Sequence, residues 1–130
     1  MAKIIIVEDD LKVANIYKNR LIEDGHQIEI AADFQAADLI AREKPDLVLL
    51  DILMPKVNGL TILREVKAQS QLADIPILVL TNIEDASEVQ QAIELGASGY
   101  LVKADTSLDL LSQKVNEVLS SGAIASGVKA

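Results

Sequence analysis

The stretch IIIVEDDL, from Ile4 to Leu11, places four apolar residues directly before three consecutive acids. A continuous aliphatic run of this length is typical of a strand that is covered on both faces, as in a parallel sheet. Adjacent carboxylates repel one another, and the end of a buried strand is an unfavourable place to hold them. The stretch therefore predicts a buried strand that ends in a cluster of acids, and this unfavourable placement of charge suggests that the acids have a functional role.

The rest of the chain repeats this alternation of strand and helix. LVLL and ILVL are further continuous aliphatic runs, whereas QIEIA alternates and GYLV is short, as suits edge strands. The predicted strands are Lys3–Val7, Gln27–Ala31, Asp46–Leu50, Ile75–Leu80 and Gly99–Val102. Apolar spacing predicts helices over Leu11–Glu23, Phe34–Arg42, Leu60–Gln69, Ala86–Leu95 and Ser107–Ser120. We expect an α/β fold with a single doubly wound five-stranded parallel sheet in the order 2-1-3-4-5 and five helices.

Helix ends carry their own signals. Thr106 with Asp109 three residues later has the pattern of a capping box before the last helix. Gly25 and Gly96 stand where helices are expected to end. Residues 1–120 are predicted to form one domain, and residues 121–130, rich in small side chains, a flexible tail.

Composition limits the function. The 130 residues are 50% hydrophobic and carry a net charge of −8, which disfavours binding to nucleic acid or anionic membranes. No apolar run reaches the ~18 residues of a membrane span. The absence of cysteine excludes disulfides and thiolate chemistry and fits a cytoplasmic location.

Polar side chains follow four of the predicted strands. Glu8, Asp9 and Asp10 follow the first strand; the third, fourth and fifth are followed by Asp51, Thr81 and Lys103. In open α/β sheets, ligands bind in the crevice beyond the carboxyl ends of the strands. Any one of these residues is easily explained by helix capping or solvation, but their coincidence at successive strand ends predicts one site.

The acids are expected to hold a cation. Two carboxylates ~5 Å apart repel by roughly 3 kcal/mol at an effective dielectric constant of 20, so one must take up a proton or a cation must lie between them. Mg²⁺ prefers carboxylate oxygens and water. A magnesium ion beside a carboxylate, a hydroxyl and an ammonium group indicates phosphoryl chemistry, with Asp51 able to become an aspartyl phosphate.

With these residues in place, the sequence resembles the receiver domain of bacterial two-component response regulators, of the chemotaxis-regulator type. The resemblance covers about residues 3–120 and rests on Glu8-Asp9, the DxxMPxxxG stretch from Asp51 to Gly59, Thr81, Tyr100 and Lys103. It implies a flavodoxin-like fold and phosphorylation of Asp51 by the phosphohistidine of a sensor histidine kinase or phosphotransfer protein.

The resemblance also implies roles for single residues. Asp9 would be the main Mg²⁺ ligand, with Asp51, Glu8 and the backbone carbonyl of Leu53 completing the protein ligands. Tyr100 would be a switch coupled to Thr81, altering the face of the fourth helix, fifth strand and fifth helix for an effector protein. A receiver of this kind catalyses its own phosphorylation and dephosphorylation and has no turnover on an external substrate.

Two positions depart from the family pattern. The family usually has proline after the lysine, often with a cis peptide bond, whereas this chain has Ala104, for which a cis bond costs ~3 kcal/mol. The family usually has a small residue after Thr81, whereas this chain has Asn82. Neither change removes a chemical group, but they leave open the isomer of the Lys103–Ala104 bond and access to Asp51.

Three other classes of protein fit less well. A flavodoxin-like nucleotide binder needs a loop rich in Gly, Ser and Thr where this chain has acids. A phosphatase of the aspartyl-phosphate type wants a second Asp where this chain has Leu53. A pseudo-receiver that acts only as an interaction module is the main alternative, although Asp51, Thr81 and Lys103 are all present.

Some properties lie outside these patterns. His26, the only histidine, is predicted to lie on the surface without a phosphorelay role. The chain is expected to be a monomer or weak dimer, and either a stand-alone regulator or a fragment of a longer one.

Overall fold

The strands of the computed structural model lie side by side in one parallel sheet, in the order β2-β1-β3-β4-β5. The structure describes residues 2–32, 35–52, 54, 58–81 and 86–121. The strands are β1 (Lys3–Val7), β2 (Gln27–Ala31), β3 (Leu47–Asp51), β4 (Ile77–Thr81) and β5 (Gly99–Val102). The helices are α1 (Leu11–Glu23), α2 (Ala36–Glu43), α3 (Gly59–Lys67), α4 (Ala86–Glu94) and α5 (Leu108–Ser121). The predicted fold class and strand order are therefore confirmed.

Alternation along the strands divides the core into two clusters. The α1/α5 cluster lies on one face and contains Ile4, Ile6, Ala14, Leu21, Leu47, Leu49, Leu78, Leu80, Leu101, Leu111, Val115 and Val118. The α2–α4 cluster lies on the other face and includes Ile5, Val7, Val48, Leu50, Ile77 and Val79 together with side chains from α2, α3 and α4. Fully burying one such aliphatic side chain contributes roughly 1.5–3 kcal/mol, so the two clusters account for the sandwich of helices around the sheet.

The middle and edge strands differ as their sequences predict. Every residue of β3 and of β4 is buried, whereas β2 alternates between exposed and half-buried positions before it ends at Ala31. The third and fourth strands end one residue later than predicted. Asp51 is paired with Leu80 in the sheet, so Asp51 and Thr81 are the last residues of β3 and β4 rather than the first residues beyond them.

The cap of α5 differs from the prediction. The hydroxyl of Ser107 accepts a hydrogen bond of 3.1 Å from the amide of Leu110, so Ser107 is the capping residue. The hydroxyl of Thr106 instead donates to the carbonyl of Val102 at 2.7 Å, and Asp109 pairs with Arg20 of α1. The predicted capping box is therefore wrong, because both of its side chains have other partners.

The start of α3 lies against the backbone of the third strand's last residue. The amide of Gly59 donates to the carbonyl of Ile52 at 2.8 Å. A Cβ atom at position 59 would lie 2.3 Å from the carbonyl oxygen of Asp51 and 2.7 Å from the Cα of Ile52. Only glycine permits this approach, which fixes the backbone that carries Asp51.

Candidate functional site

The carboxyl ends of β1 and β3 bring three acids together. Glu8 follows β1, and its amide still pairs with the carbonyl of Ala31 at 3.0 Å. One carboxylate oxygen from each of Glu8, Asp9 and Asp51 lies within 4.8 Å of the others. Glu8 and Asp51 are only 2% and 1% exposed. Their proximity confirms the predicted clustering, and oxygen ligands at this spacing fit a divalent cation such as Mg²⁺.

Asp10, the third acid of the opening stretch, belongs to α1 instead. Its carboxylate accepts hydrogen bonds from the amides of Lys12 and Val13 at 3.0 and 3.3 Å, which makes it the N-terminal cap of the helix. Asp10 is exposed, and its own amide donates to Glu8 at 3.2 Å. The cap therefore also helps to orient Glu8 within the site.

Lys103 brings a positive charge to the site. Its ammonium lies 2.6 Å from Oε1 of Glu8 and 3.3 Å from Oδ2 of Asp51. Burial alone would lower the pKa of Lys103, but the hydrogen bond to Glu8 and the charge of Asp51 outweigh that effect and raise the pKa. The closer contact is with Glu8, a partner that the sequence analysis did not assign to this lysine.

Asp51 and Asp9 bind protons more tightly than free carboxylates do. Burial, and next the charge of Glu8, raise the pKa of Asp51 from 3.8 to about 6, although Lys103 acts in the opposite direction. Burial and a hydrogen bond with Glu8 likewise raise the pKa of Asp9. Among the described residues, these three acids, two of them buried, share one ammonium and retain excess negative charge, so a further cation would relieve the repulsion.

Thr81 and Tyr100 lie near this edge but belong to the other face of the sheet. Thr81 is fully buried at the end of β4 and continues the positions of Ile77 and Val79, which pack in the α2–α4 cluster. Tyr100 pairs with Val79 in the sheet, is half-buried and packs against the same cluster. The two residues predicted to act as a switch therefore share one face.

Other predicted features stand as follows. Leu53, Asn82 and residues 122–130 lie outside the described residues. The Lys103–Ala104 peptide bond is trans, since the described residues contain no cis peptide bond, and a short 3₁₀ turn covers Lys103–Asp105.

His26 is half-buried at the opposite end of the sheet. Its Nδ1 accepts from the amide of Ala2 at 3.1 Å, and its Nε2 lies 3.3 Å from Oδ1 of Asn116. The lone histidine thus joins the start of β1 to α5, far from the acids.

Comparison with known proteins decides the family. The family model described as "Response regulator receiver domain" matches residues 4–116. The chain belongs to this family.

Curated relatives of the receiver domain are named as regulators. "Response regulator MprA" of Mycobacterium sp. (strain KMS) is 37% identical over 112 residues, which cover 85% of this chain and 48% of MprA. "Probable transcriptional regulator ycf27" of Porphyridium aerugineum is 37% identical over 102 residues, covering 78% of this chain and 41% of that protein. The chain thus spans about half the length of these curated relatives.

Solved structures of response-regulator and receiver domains have the same fold as this chain. The chemotaxis protein CheY4 of Vibrio cholerae is 29% identical, with a TM-score of 0.84 over 91% of this chain and 98% of that one. The signal receiver domain of a signal transduction histidine kinase from Syntrophus aciditrophicus is 32% identical, with a TM-score of 0.83 over 92% of this chain and 91% of that one. Among the described residues, no helix of the receiver domain has the length and apolar character needed to cross a bilayer.

The raised pKa of Asp51 predicts that the metal-free receiver domain loses stability as the pH rises. With a pKa of about 6 in the folded state against 3.8, folding takes up a proton between about pH 4 and pH 6, and the free energy of unfolding falls through that window. Asp51→Asn removes the penalty and should raise the free energy of unfolding at pH 7 by about 1–3 kcal/mol, shrinking towards zero near pH 4. Urea unfolding in chelator at several pH values measures this.

The control is Asp105→Asn, which changes an exposed acid next to Lys103 and should alter stability little at any pH. A wild-type chain at least as stable as Asp51→Asn at pH 7 would contradict the prediction.

Sequence analysis gave Tyr17 of α1 no place in relation to the site. Burial raises the pKa of its phenol, and the charges of Lys103, Glu8 and Asp51 have smaller effects. The available signal was its helical spacing with Val13 and Leu21, which marks Tyr17 as facing the core but says nothing of what lies at the core's end.

Proposed function

We propose that the chain is a phosphoacceptor signalling switch in which Asp51 takes a phosphoryl group from the phosphohistidine of a sensor histidine kinase or phosphotransfer protein. The observation that carries this proposal is the placement of Asp51, buried at the end of β3, with Lys103 at 3.3 Å and the oxygens of Glu8 and Asp9 within 4.8 Å. The membership of the receiver family supports it.

Each residue has a role in the transfer. A carboxylate oxygen of Asp51 attacks phosphorus, the phosphorus–nitrogen bond to the donor imidazole breaks, and the imidazole leaves with the bonding electrons. Lys103 pairs with one phosphoryl oxygen, and the hydroxyl of Thr81 donates a hydrogen bond to another. Phosphorylation and dephosphorylation are thus promoted by the chain itself, without turnover on an external substrate.

The acids are proposed to hold Mg²⁺ during the transfer. Asp9 is the main ligand with Asp51, Glu8 assists, and the backbone carbonyl of Leu53, outside the described residues, is the further ligand that the family implies. Bound Mg²⁺ supplies positive charge that neutralises phosphoryl oxygens and favours the ionised form of Asp51. The ionised form matters because burial holds the pKa of Asp51 at about 6 without metal.

A first experiment tests whether the chain is a phosphoacceptor. Intact-protein mass spectrometry after incubation with acetyl phosphate and Mg²⁺ should show one added phosphoryl group. The added mass should be absent when the metal is chelated before acetyl phosphate is added. No added mass would favour the alternative of a pseudo-receiver that works as an interaction module.

Phosphorylation is proposed to reach the surface of α4, β5 and α5 through Thr81 and Tyr100, where it would alter the binding of an effector protein. Thr81 moves toward the phosphoryl group, and Tyr100, which packs on the same face of the sheet, turns into the space released. The phosphoryl group can drive this change only by interacting better with one of the two arrangements. The chain is proposed to work in the cytoplasm as a monomer or weak dimer without contacting nucleic acid directly.

The switch predicts chemical-shift changes far from the acids. Phosphorylation should shift the ring signals of Tyr100 and the amides of α4 in NMR spectra, because both pack against the α2–α4 cluster with Thr81. Thr81→Ala should reduce these shifts, while the matched variant Thr81→Ser keeps the hydroxyl and should retain them. Shifts confined to the surroundings of Asp51 would rule the switch out.

A further inference from the structure

Lys67, the last residue of α3, reaches the segment that leads into β4. Its ammonium donates hydrogen bonds to the backbone carbonyls of Ala73 and Ile75 at 2.8 and 2.9 Å. Lys67 is half-buried, and burial lowers the pKa of the ammonium. An ammonium that loses water needs other acceptors, and these two carbonyls supply them. The contacts fix the course of the backbone just before β4 begins at Ile77.

The apolar stem of the same side chain lies over the end of α4. A Cβ atom built on Gly96 would lie 3.6 Å from both Cδ and Cε of Lys67. Gly96 has a φ of +106°, the left-handed conformation in which helices often end, and its amide donates to the carbonyl of Ile93 at 3.0 Å. Lys67 therefore covers the cap of α4 with its stem while its ammonium holds the approach to β4.

Other attachments of α4 lie at this same end. Among the described side chains of α4, those of residues 87–94, only Ala92 is buried. Leu95, the next residue after the helix, packs against the α2–α4 cluster. The amide of Ser98 then donates to the carbonyl of Ile77 at 2.8 Å. The C-terminal end of α4 is thus held by packing and by the sheet, at the edge opposite the acids.

We propose that Lys67 is a positioning residue that makes the C-terminal end of α4 the fixed end of this helix, so that phosphorylation moves the start of α4, which follows Thr81, more than its end. One ammonium has three donors and can hold two carbonyls at once, while its stem covers Gly96. A helix that is held at one end responds to a change at the other end by tilting about the held residues. The response to phosphorylation rests on the proposed function, whereas the fixed end does not.

Hydrogen exchange of the unphosphorylated chain tests the fixed end. Lys67→Met keeps an apolar side chain of similar length but removes the ammonium, which leaves the carbonyls of Ala73 and Ile75 without this donor. Exchange at the amides of Gly96–Ser98 should become about tenfold faster relative to the amides of β1, which report global unfolding. Lys67→Arg retains the charge and the donors and should stay within about threefold of the wild type.

Arg64→Met is the matched control, because it removes a cation from an exposed position of α3 about one turn earlier. It should leave the relative exchange of Gly96–Ser98 unchanged. A further measurement needs no variant: in the wild type, nuclear Overhauser effects should join the side-chain protons of Lys67 to the α-protons of Gly96.

Phosphorylation by acetyl phosphate and Mg²⁺ tests the consequence for α4. Amide shifts in the wild type should be at least about threefold larger over residues 87–90 than over residues 95–98, because the second group lies at the fixed end. Lys67→Met should make the two groups of shifts about equal. A general loss of stability would not redistribute the shifts in a chain that remains folded.

The outcomes separate this inference from the proposed function. Absence of Overhauser effects between Lys67 and Gly96 in the wild type overturns the role of Lys67, even if Lys67→Met fails to fold. Relative exchange in Lys67→Met no faster than in Arg64→Met overturns it too, as do equal shifts at the two ends of α4 in the phosphorylated wild type. If mass spectrometry shows no phosphoryl group on the wild type, the proposed function fails, while hydrogen exchange still decides the role of Lys67.

Discussion

Replacing Asp51 with asparagine should abolish the Mg²⁺-dependent gain of a phosphoryl group from acetyl phosphate. Asparagine has almost the same shape but no anionic oxygen to attack phosphorus, so the rate should fall by more than about 100-fold. The variant is expected to fold, because the change removes a buried charge whose pKa is already raised to about 6. Mass spectrometry of the intact chain at matched times gives the measurement.

Asp46→Asn is the matched control for this experiment. Asp46 is exposed beside the opposite end of β3, where its carboxylate accepts a hydrogen bond from the amide of Lys3 at 2.8 Å. Asparagine can still accept that bond, so Asp46→Asn should label at the wild-type rate. Normal labelling of Asp51→Asn would show that another residue is the phosphoacceptor.

Asp9→Asn should weaken Mg²⁺ binding by at least about tenfold, or about 1.4 kcal/mol. The substitution removes one negative charge from three acids whose oxygens lie within 4.8 Å of one another, and a neutral amide is a poorer ligand for this hard cation. Calorimetric titration of Mg²⁺ into the two proteins measures the difference.

The neighbouring residue supplies the control. Asp10→Asn also removes one charge from the EDD sequence, but asparagine caps a helix as well as aspartate does, and the carboxylate of Asp10 is bound to the amides of α1. Its Mg²⁺ affinity should fall by less than about threefold, because a more distant, solvent-exposed charge is screened. Equal losses in the two variants would mean that net charge, not direct ligation by Asp9, governs the metal.

The strand order was predictable because the burial of each strand determines its pattern of apolar and polar residues. LVLL and ILVL lack polar residues since β3 and β4 are covered on both faces, while the alternation of QIEIA reports one exposed side of β2. Strand ends were less predictable. Asp51 and Thr81 are polar and suggested loops, yet their backbones still pair with neighbouring strands, and backbone pairing does not depend on side-chain polarity.

Which residues gather at the candidate site was predictable, but which side chains contact one another there was not. The topology alone carries Glu8, Asp51 and Lys103 to one edge. Whether Lys103 turns to Glu8 or to Asp51 depends on side-chain length: glutamate reaches one methylene further than aspartate, and here its oxygen lies 2.6 Å from the ammonium. Asp10 shows the same limit, because only the start of α1 determines that this acid caps a helix rather than joining the other two.

The close approach of Gly59 to Asp51 bears on how related sequences are judged. A sequence is readily judged capable of phosphoryl transfer when it has the acids, the threonine hydroxyl and the lysine of this site. Here a hydrogen atom in place of a methyl group is also required, since a Cβ at position 59 would overlap the backbone of Asp51 and Ile52. A homologous chain can therefore carry all the reactive groups and still lack the room to hold them, and the residue that reveals this has no side chain.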